Sequence, residues 1–204
     1  MAQGVDLGAY INADDIEHEL GEPPGEDRTR RAQRIAEDRR RACMDKGQNF
    51  TFETVMSHPS KTALLGDARR LGYDIVVYFV GLETAELSIG RVRQRVAMGG
   101  HPVPTDKIRQ RFERCLNLLP DAIRLCDRAV LFDNSYRDDR DERVRMVPFC
   151  EARRNEPARR IDLFDADGQP LGPAGHRRLP RWGQRILREV AQKESRLGGR
   201  RRGP

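Results

Sequence analysis

The chain has 204 residues, of which 37% are hydrophobic and 34% are charged, the balance of a globular protein with a polar surface. No apolar run is long enough to cross a bilayer, and the opening MAQGVDLGAY lacks the basic and apolar regions of a signal peptide, so we expect a cytoplasmic protein. The net charge of +6 comes from a basic tail, because residues 176–204 carry ten basic and two acidic side chains while the other 175 residues are nearly neutral.

Strand and helix patterns alternate along the chain. Strands are predicted at 9–12, 49–54, 73–82 and 127–135, with weaker ones at 143–149 and 159–171, the last containing an Asp-Gly turn. Helices are predicted at about 27–46, 60–72, 84–100, 105–119 and 179–195. The near-continuous apolar run YDIVVYFVGL predicts a central strand buried on both faces. Strands separated by helices predict an α/β fold with a parallel sheet flanked by helices.

Polar side chains follow three of the predicted strands. They are Asn12, Asp14 and Asp15 after the first strand, Glu53 and Thr54 after the second, and Asn134 and Ser135 after the strand at 127–135. Ligands of parallel sheets gather beyond the carboxyl ends of the strands, where a carboxylate can act as a general base or help to hold Mg²⁺. Taken alone, Asp14 and Asp15 could simply cap the following helix, but Glu53 at a second strand end favours a functional site.

The segment RVRQRVAMGGHPVP predicts a helix followed by a Gly-Gly hinge. Arg91 and Arg95 are four residues apart and therefore share a helix face. Two guanidinium groups before such a hinge suit a lid that closes over phosphates, and Arg109 and Arg111 follow on the next helix. The alternative for each arginine is a solvated surface position.

The four cysteines are irregularly spaced and contain no CxxC pair. This pattern predicts reduced thiols, with neither a zinc site nor a disulfide framework, and no other metal-ligand motif is recognised.

An ordered set of motifs resembles the zeta toxin family of P-loop kinases, in particular its small stand-alone bacterial branch. The matching stretches, over roughly residues 7–135, are INADDI, FTFET, VVYFVGLETAELSIGRVRQRV, GGHPVP, IRQRFERCLNLL and LFDNS, and LPRW resembles the start of the family's final helix. The resemblance implies a nucleoside-kinase-like core over 1–135, a variable β-rich segment over 136–175, and a final helix with the basic tail over 176–204.

The resemblance also implies ATP with Mg²⁺ as the phosphoryl donor, a UDP-N-acetylglucosamine-like acceptor and a possible antitoxin partner. By position, Asp14 is similar to the residue that deprotonates the acceptor hydroxyl, with Asp15 as its stand-in. Asn12, Glu53 and Thr54 fall at the substrate pocket, and Arg91 and Arg95 at the arginines that clamp the ATP phosphates. Arg109 or Arg111 would complete the clamp, and Asn134 falls near the adenine.

The family pattern begins with a buried strand and a phosphate loop, GxxGxGK[ST], and residues 1–204 contain neither. The stretch SHPSKT has the Lys-Thr pair but no glycines whose backbone N–H groups could hold phosphate. In the family's sheet the missing strand lies between those that resemble NFTFE and YDIVVYFV. We expect either that the true protein starts upstream of Met1 or that the chain is a remnant that needs a partner strand.

Two other functions stay open from the sequence. A non-catalytic remnant would act by binding alone, with an antitoxin-like protein or a polyanion held by the basic tail as its ligand. A polynucleotide kinase is the weaker alternative, since a nearly neutral body offers little basic groove for nucleic acid.

Overall fold

The computed structural model describes residues 6–23, 25–136, 145–156, 158 and 160–199. The chain divides into two compact units, Met1–Val55 and Met56–Pro204. The predicted boundaries near 135 and 175 stay predictions, and the intervening segment includes residues 137–144, 157 and 159, which lie outside the described part of the chain.

The first unit is a parallel strand pair connected by two helices. Its elements are β1 (Ala9–Ile11), α1 (Ala13–Glu19), α2 (Glu26–Asp45) and β2 (Phe50–Phe52). The strands pair in parallel, with Ala9 opposite Phe50 and Ile11 opposite Phe52. The core joins Ile11 and Ile16 to the α2 residues Ala32, Ala36 and Cys43, so the apolar face of α2 packs inward.

Arg40 is a buried residue of α2 that the apolar pattern does not reveal. Its side chain is only 5% exposed, and the guanidinium lies 5.0 Å from the centre of the Phe52 ring. Burial lowers the pKa of Arg40 from its ordinary value. A long aliphatic stem and a planar group that packs on an aromatic face allow arginine to occupy an inward position.

The second unit is a four-stranded sheet with helices. Its elements are α3 (Pro59–Arg70), β3 (Val76–Gly81), α4 (Ala85–Ala97), α5 (Thr105–Leu125), β4 (Arg128–Asp133), β5 (Val147–Asn155), β6 (Arg160–Phe164), α6 (Pro173–His176) and α7 (Arg181–Gly199). The strand order is β3-β4-β5-β6. β3 and β4 are parallel, and β5 and β6 continue the sheet in antiparallel fashion. The α/β class is therefore confirmed, with antiparallel strands at one side of the sheet.

The prediction that β3 is buried on both faces is wrong. Val76, Tyr78 and Val80 are 50%, 64% and 47% exposed, whereas Gly81 is buried against Trp182. Within the described residues β3 pairs only with β4, so it is an edge strand. β2 and β3 belong to different sheets.

Two other boundaries differ from the predicted ones. α5 continues past Pro120 to Leu125, because its apolar stripe of Leu116, Leu119 and Ile123 is buried and outweighs the one helical hydrogen bond that proline cannot donate. β5 extends to Asn155 although its second half, EARRN, has little strand character; those residues pair with β6.

The four cysteines are free, as predicted. Burial raises the pKa of Cys126 and Cys150 to about 12 and that of Cys115 to about 11. These thiols stay protonated at neutral pH and are poor nucleophiles.

A charged cluster ties β4 to β5. Glu151 accepts from Arg153 Nε at 2.7 Å and from Arg128 Nε at 2.6 Å, and these two hydrogen bonds lower the pKa of Glu151 to about 2. Because this pKa lies below the ordinary value of about 4.5, the cluster stabilises the fold above pH 4.5 and the contribution is lost as the pH falls towards 2.

We expect Glu151→Gln to lower the free energy of unfolding at pH 7 by roughly 1 kcal/mol, a modest value because both arginines are about half exposed to solvent. The variant should also show a flatter loss of stability between pH 4.5 and 2. Urea unfolding at several pH values measures both effects, and parallel profiles for the two proteins would contradict this assignment.

Candidate active site

The carboxyl ends of β1 and β2 bring predicted site residues together within the first unit. Since Ile11 pairs with Phe52, Asn12 and Glu53 leave the two strands at the same level. Asn12 is the N-cap of α1, and its Oδ1 accepts from the backbone N–H of Asp14 at 2.8 Å. It is thus Asn12, rather than either aspartate, whose side chain caps the helix.

Asp14 and Asp15 lie in the first turn of α1, and both are exposed. The positive end of a helix dipole favours carboxylates at this position. Glu53 and Thr54 follow β2 and are exposed as well. Three carboxylates therefore stand at one end of this unit, open to solvent.

Tyr10 belongs to the same group although the sequence patterns did not single it out. Its hydroxyl accepts from Asn12 Nδ2 at 3.1 Å. The Asn12 hydrogen bond lowers the pKa of Tyr10 and the Glu53 carboxylate raises it, and the net result is a raised pKa. Alternation along β1 could have indicated this residue, because Tyr10 and Asn12 share the face opposite the buried Ile11.

In the second unit, Arg91 of α4 contacts the loop after β4. Arg91 Nη2 donates to the carbonyl oxygen of Asn134. The Asn134 side-chain amide can be oriented so that both its oxygen and its nitrogen form hydrogen bonds. In that orientation Oδ1 accepts from Arg91 Nη1 at 2.7 Å, and Nδ2 donates to the Arg145 carbonyl at 3.3 Å. The structure thus brings two predicted site residues together, with the Asn134 side chain engaged by protein groups.

The other predicted arginines have different partners. Arg95 Nη2 donates to the carbonyl of His101 at 3.4 Å, and the Gly100 N–H donates to the Arg95 carbonyl at 2.9 Å. A Cβ at Gly100 would lie 2.8 Å from Arg95 Cγ, so the turn requires a glycine there. Arg109 of α5 pairs with Glu86 at 3.3 Å and ties α5 to the first turn of α4, and Arg111 is half-buried on α5.

A cavity of about 310 Å³ opens at the carboxyl ends of β3 and β4. Its lining comprises Glu83, Asp133, Ser135, Tyr136, Leu179, Pro180 and Arg181. Asp133 is 3% exposed, and its Oδ1 accepts from the backbone N–H of Ser135 at 3.1 Å and from Ser135 Oγ at 2.6 Å. Ser135 Oγ in turn accepts from the Glu83 N–H at 2.8 Å, so one hydrogen-bonded chain connects the ends of both strands.

Sequence reasoning placed Ser135 at this edge but missed Asp133 and Arg181. Asp133 belongs to a predicted apolar strand, where it resembles an ordinary strand residue. Arg181 lies near the start of a predicted helix that is far from this strand in the sequence. The parallel pairing of Gly81 with Asp133 places the strand ends together, but which helix terminus covers them depends on tertiary packing.

Residues 9–146 match the family model described as Zeta toxin. The chain belongs to the zeta toxin family. No curated protein and no solved structure gives a significant match to it. Membership indicates a P-loop-kinase-like function that uses a nucleotide and a small-molecule substrate.

Zeta toxin family membership also implies Mg²⁺ together with the nucleotide. Among the residues that the structure describes, no group of three or more His, Cys, Asp or Glu side chains could hold a metal ion. None of the helices in the described part of the chain combines the length and apolar character needed to span a membrane.

Proposed function

We propose that this zeta toxin family protein contributes the acceptor-binding and phosphate-clamping residues of an ATP-dependent kinase whose acceptor is the hydroxyl of a nucleotide sugar resembling UDP-N-acetylglucosamine. The observation that carries the proposal is the parallel register of β1 and β2, which sets Asn12 beside Glu53 and next to the aspartates of α1. Exposed carboxylates at the carboxyl ends of parallel strands suit a general base that acts on a hydroxyl.

In the proposed reaction, a carboxylate oxygen of Asp14 takes the proton of the acceptor hydroxyl. The hydroxyl oxygen forms a bond to the γ-phosphorus of ATP, the bond from that phosphorus to the bridging oxygen breaks, and ADP leaves with the bond electrons. Asp15 is the alternative base, Glu53 and Thr54 bind the acceptor, and Asn12 orients the first turn of α1.

Guanidinium groups would stabilise the charge on the transferring phosphoryl group. Arg91 and Arg95 on α4 are proposed for this role, with Arg109 or Arg111 of α5 as the completing residue. Arg95 contacts one neutral carbonyl group, and Arg109 contacts one exposed carboxylate. A phosphate could displace either partner.

The cavity at the ends of β3 and β4 supports a nucleotide role for the second unit. Tyr136 and Arg181 offer flat groups for stacking on a base, and Leu179 and Pro180 offer apolar walls. Asn134, proposed near the adenine, adjoins this cavity in sequence, and its side chain would act by holding Arg91.

Binding without catalysis is a second candidate because residues 1–204 contain no GxxGxGK[ST] sequence. That loop supplies the backbone N–H cradle, the lysine on the transferring phosphate and a hydroxyl for Mg²⁺. We therefore propose that residues 1–204 alone do not catalyse transfer. An antitoxin-like protein is the proposed partner in either case.

A calorimetric titration with MgATP separates the two candidates. The 204-residue chain should show no micromolar affinity, since it lacks the phosphate loop, whereas the protein translated from the reading frame extended upstream of codon 1 should bind if that frame encodes the loop. Micromolar binding by the 204-residue chain would contradict both candidates, and an upstream stop codon with no such motif would leave only the binding role.

A further inference from the structure

We propose that Tyr10 is a further acceptor-binding residue: its ring forms an apolar floor for an uncharged hydroxylated ring such as a sugar, and its hydroxyl holds Asn12 in position. The inference rests on the proposed function and assigns the part of the acceptor that this end of the first unit binds.

The hydroxyl of Tyr10 begins a hydrogen-bonded chain that reaches the first turn of α1. It accepts from Asn12 Nδ2 at 3.1 Å, and Asn12 Oδ1 accepts from the Asp14 N–H at 2.8 Å. The chain links the Tyr10 hydroxyl to the helix turn that carries Asp14, beside the strand end from which Glu53 follows.

The ring of Tyr10 remains open to a ligand. Tyr10 is 53% exposed although it lies in a strand, because Ile11 takes the core side of β1 and Tyr10 faces outward. Thr51 is opposite Tyr10 on β2 and shares this face, where its hydroxyl donates to the Leu7 carbonyl at 2.8 Å. An aromatic face beside hydrogen-bond acceptors offers apolar contact and polar contact to one ligand.

Charge selects which part of a nucleotide sugar fits here. Asp14, Asp15 and Glu53 are all carboxylates, so a phosphate or diphosphate would be repelled. A neutral ring with several hydroxyl groups satisfies the site instead, because its C–H face can lie on the Tyr10 ring while its hydroxyls donate to the carboxylates. The sugar ring, rather than the diphosphate, is the group that this end of the unit would hold.

Nuclear magnetic resonance on the 204-residue chain with ¹³C-labelled tyrosine rings tests the inference, with UDP-N-acetylglucosamine as the probe. Tyr10→Phe assigns the Tyr10 signal, which should shift saturably as the probe is added while the signal of Tyr78, an exposed tyrosine of β3, stays in place. Tyr10→Ala should weaken the affinity at least tenfold. Tyr10→Phe, which keeps the ring, should weaken it about threefold, and Tyr78→Ala should leave it unchanged.

An incorrect role for Tyr10 and an incorrect acceptor class give different results in this experiment. If the probe binds Tyr10→Ala as tightly as the unmodified chain, the role of Tyr10 is wrong while the proposed acceptor class stands. If the unmodified chain does not bind the probe at millimolar concentration, the proposed acceptor class is wrong and the role of Tyr10 falls with it. Unchanged backbone amide chemical shifts of α2, which packs against β1, show that the first unit of Tyr10→Ala is folded.

Discussion

Replacing Asp14 with asparagine is expected to reduce kcat for phosphoryl transfer by a factor of about 10²–10⁴, measured on the protein translated from the extended reading frame if that frame encodes the phosphate loop. Asparagine keeps the size of the side chain and its place in the first turn of α1, but it cannot accept the hydroxyl proton. MgATP affinity should stay within about twofold, because the role proposed for Asp14 concerns the acceptor and not the nucleotide.

Two further variants test whether the loss of kcat is specific to Asp14. Asp38→Asn changes another exposed carboxylate of the same unit, on α2, and should leave kcat unchanged. Asp15→Asn changes the neighbouring carboxylate and should cost much less than Asp14→Asn. Full turnover by Asp14→Asn would remove Asp14 from the base role, and a large loss in Asp15→Asn alone would transfer that role to Asp15.

Replacing Trp182 with alanine is expected to lower the free energy of unfolding by about 3–5 kcal/mol, the range for truncating a large buried aromatic side chain. Trp182 is 3% exposed, and its ring lies 5.6 Å from the Phe79 ring and 5.1 Å, edge-on, from the Phe149 ring. It anchors the start of α7 against β3 and β5, beside the residues that line the cavity. Urea unfolding followed by circular dichroism measures the loss.

Trp182→Phe separates packing from hydrogen bonding. The indole Nε1 is buried and finds no hydrogen-bond acceptor among the described residues, so phenylalanine removes volume without removing a hydrogen bond. We expect this variant to lose less than half of what Trp182→Ala loses. Tyr78→Ala, at an exposed position of β3, should change stability by less than about 1 kcal/mol. Equal losses for Trp182→Ala and Tyr78→Ala would show that Trp182 does not anchor the core.

Local patterns were sufficient to predict most helices and strands. Thr84 caps α4, with its Oγ1 accepting from the Leu87 N–H at 3.3 Å, and Gly47, which follows α2, has a positive φ of 62°. The pattern failed where tertiary partners decide the outcome. The apolar run of β3 indicates a strand but does not tell how many neighbours it has, and the polar EARRN segment of β5 is a strand because β6 pairs with it.

The residues of the candidate site were likewise predictable where strand ends determine their position, and not where tertiary contacts do. The rule that ligands gather at the carboxyl ends of parallel strands led to Asn12 and Glu53, and the register of β1 and β2 sets them side by side. The hydrogen bonds between Arg91 and Asn134 join residues 43 positions apart, and no sequence spacing encodes such a pair. Tyr10 was missed because a single aromatic residue in a strand is typical of ordinary packing.

The most direct test of the kinase proposal is to incubate the protein from the extended reading frame with MgATP labelled at the γ-phosphate and UDP-N-acetylglucosamine. We expect the label to move to a sugar hydroxyl and ADP to form in equal amount, with both products lost in Asp14→Asn and in Arg91→Ala. Hydrolysis of ATP without a labelled sugar, or transfer that persists in both variants, would contradict the proposal.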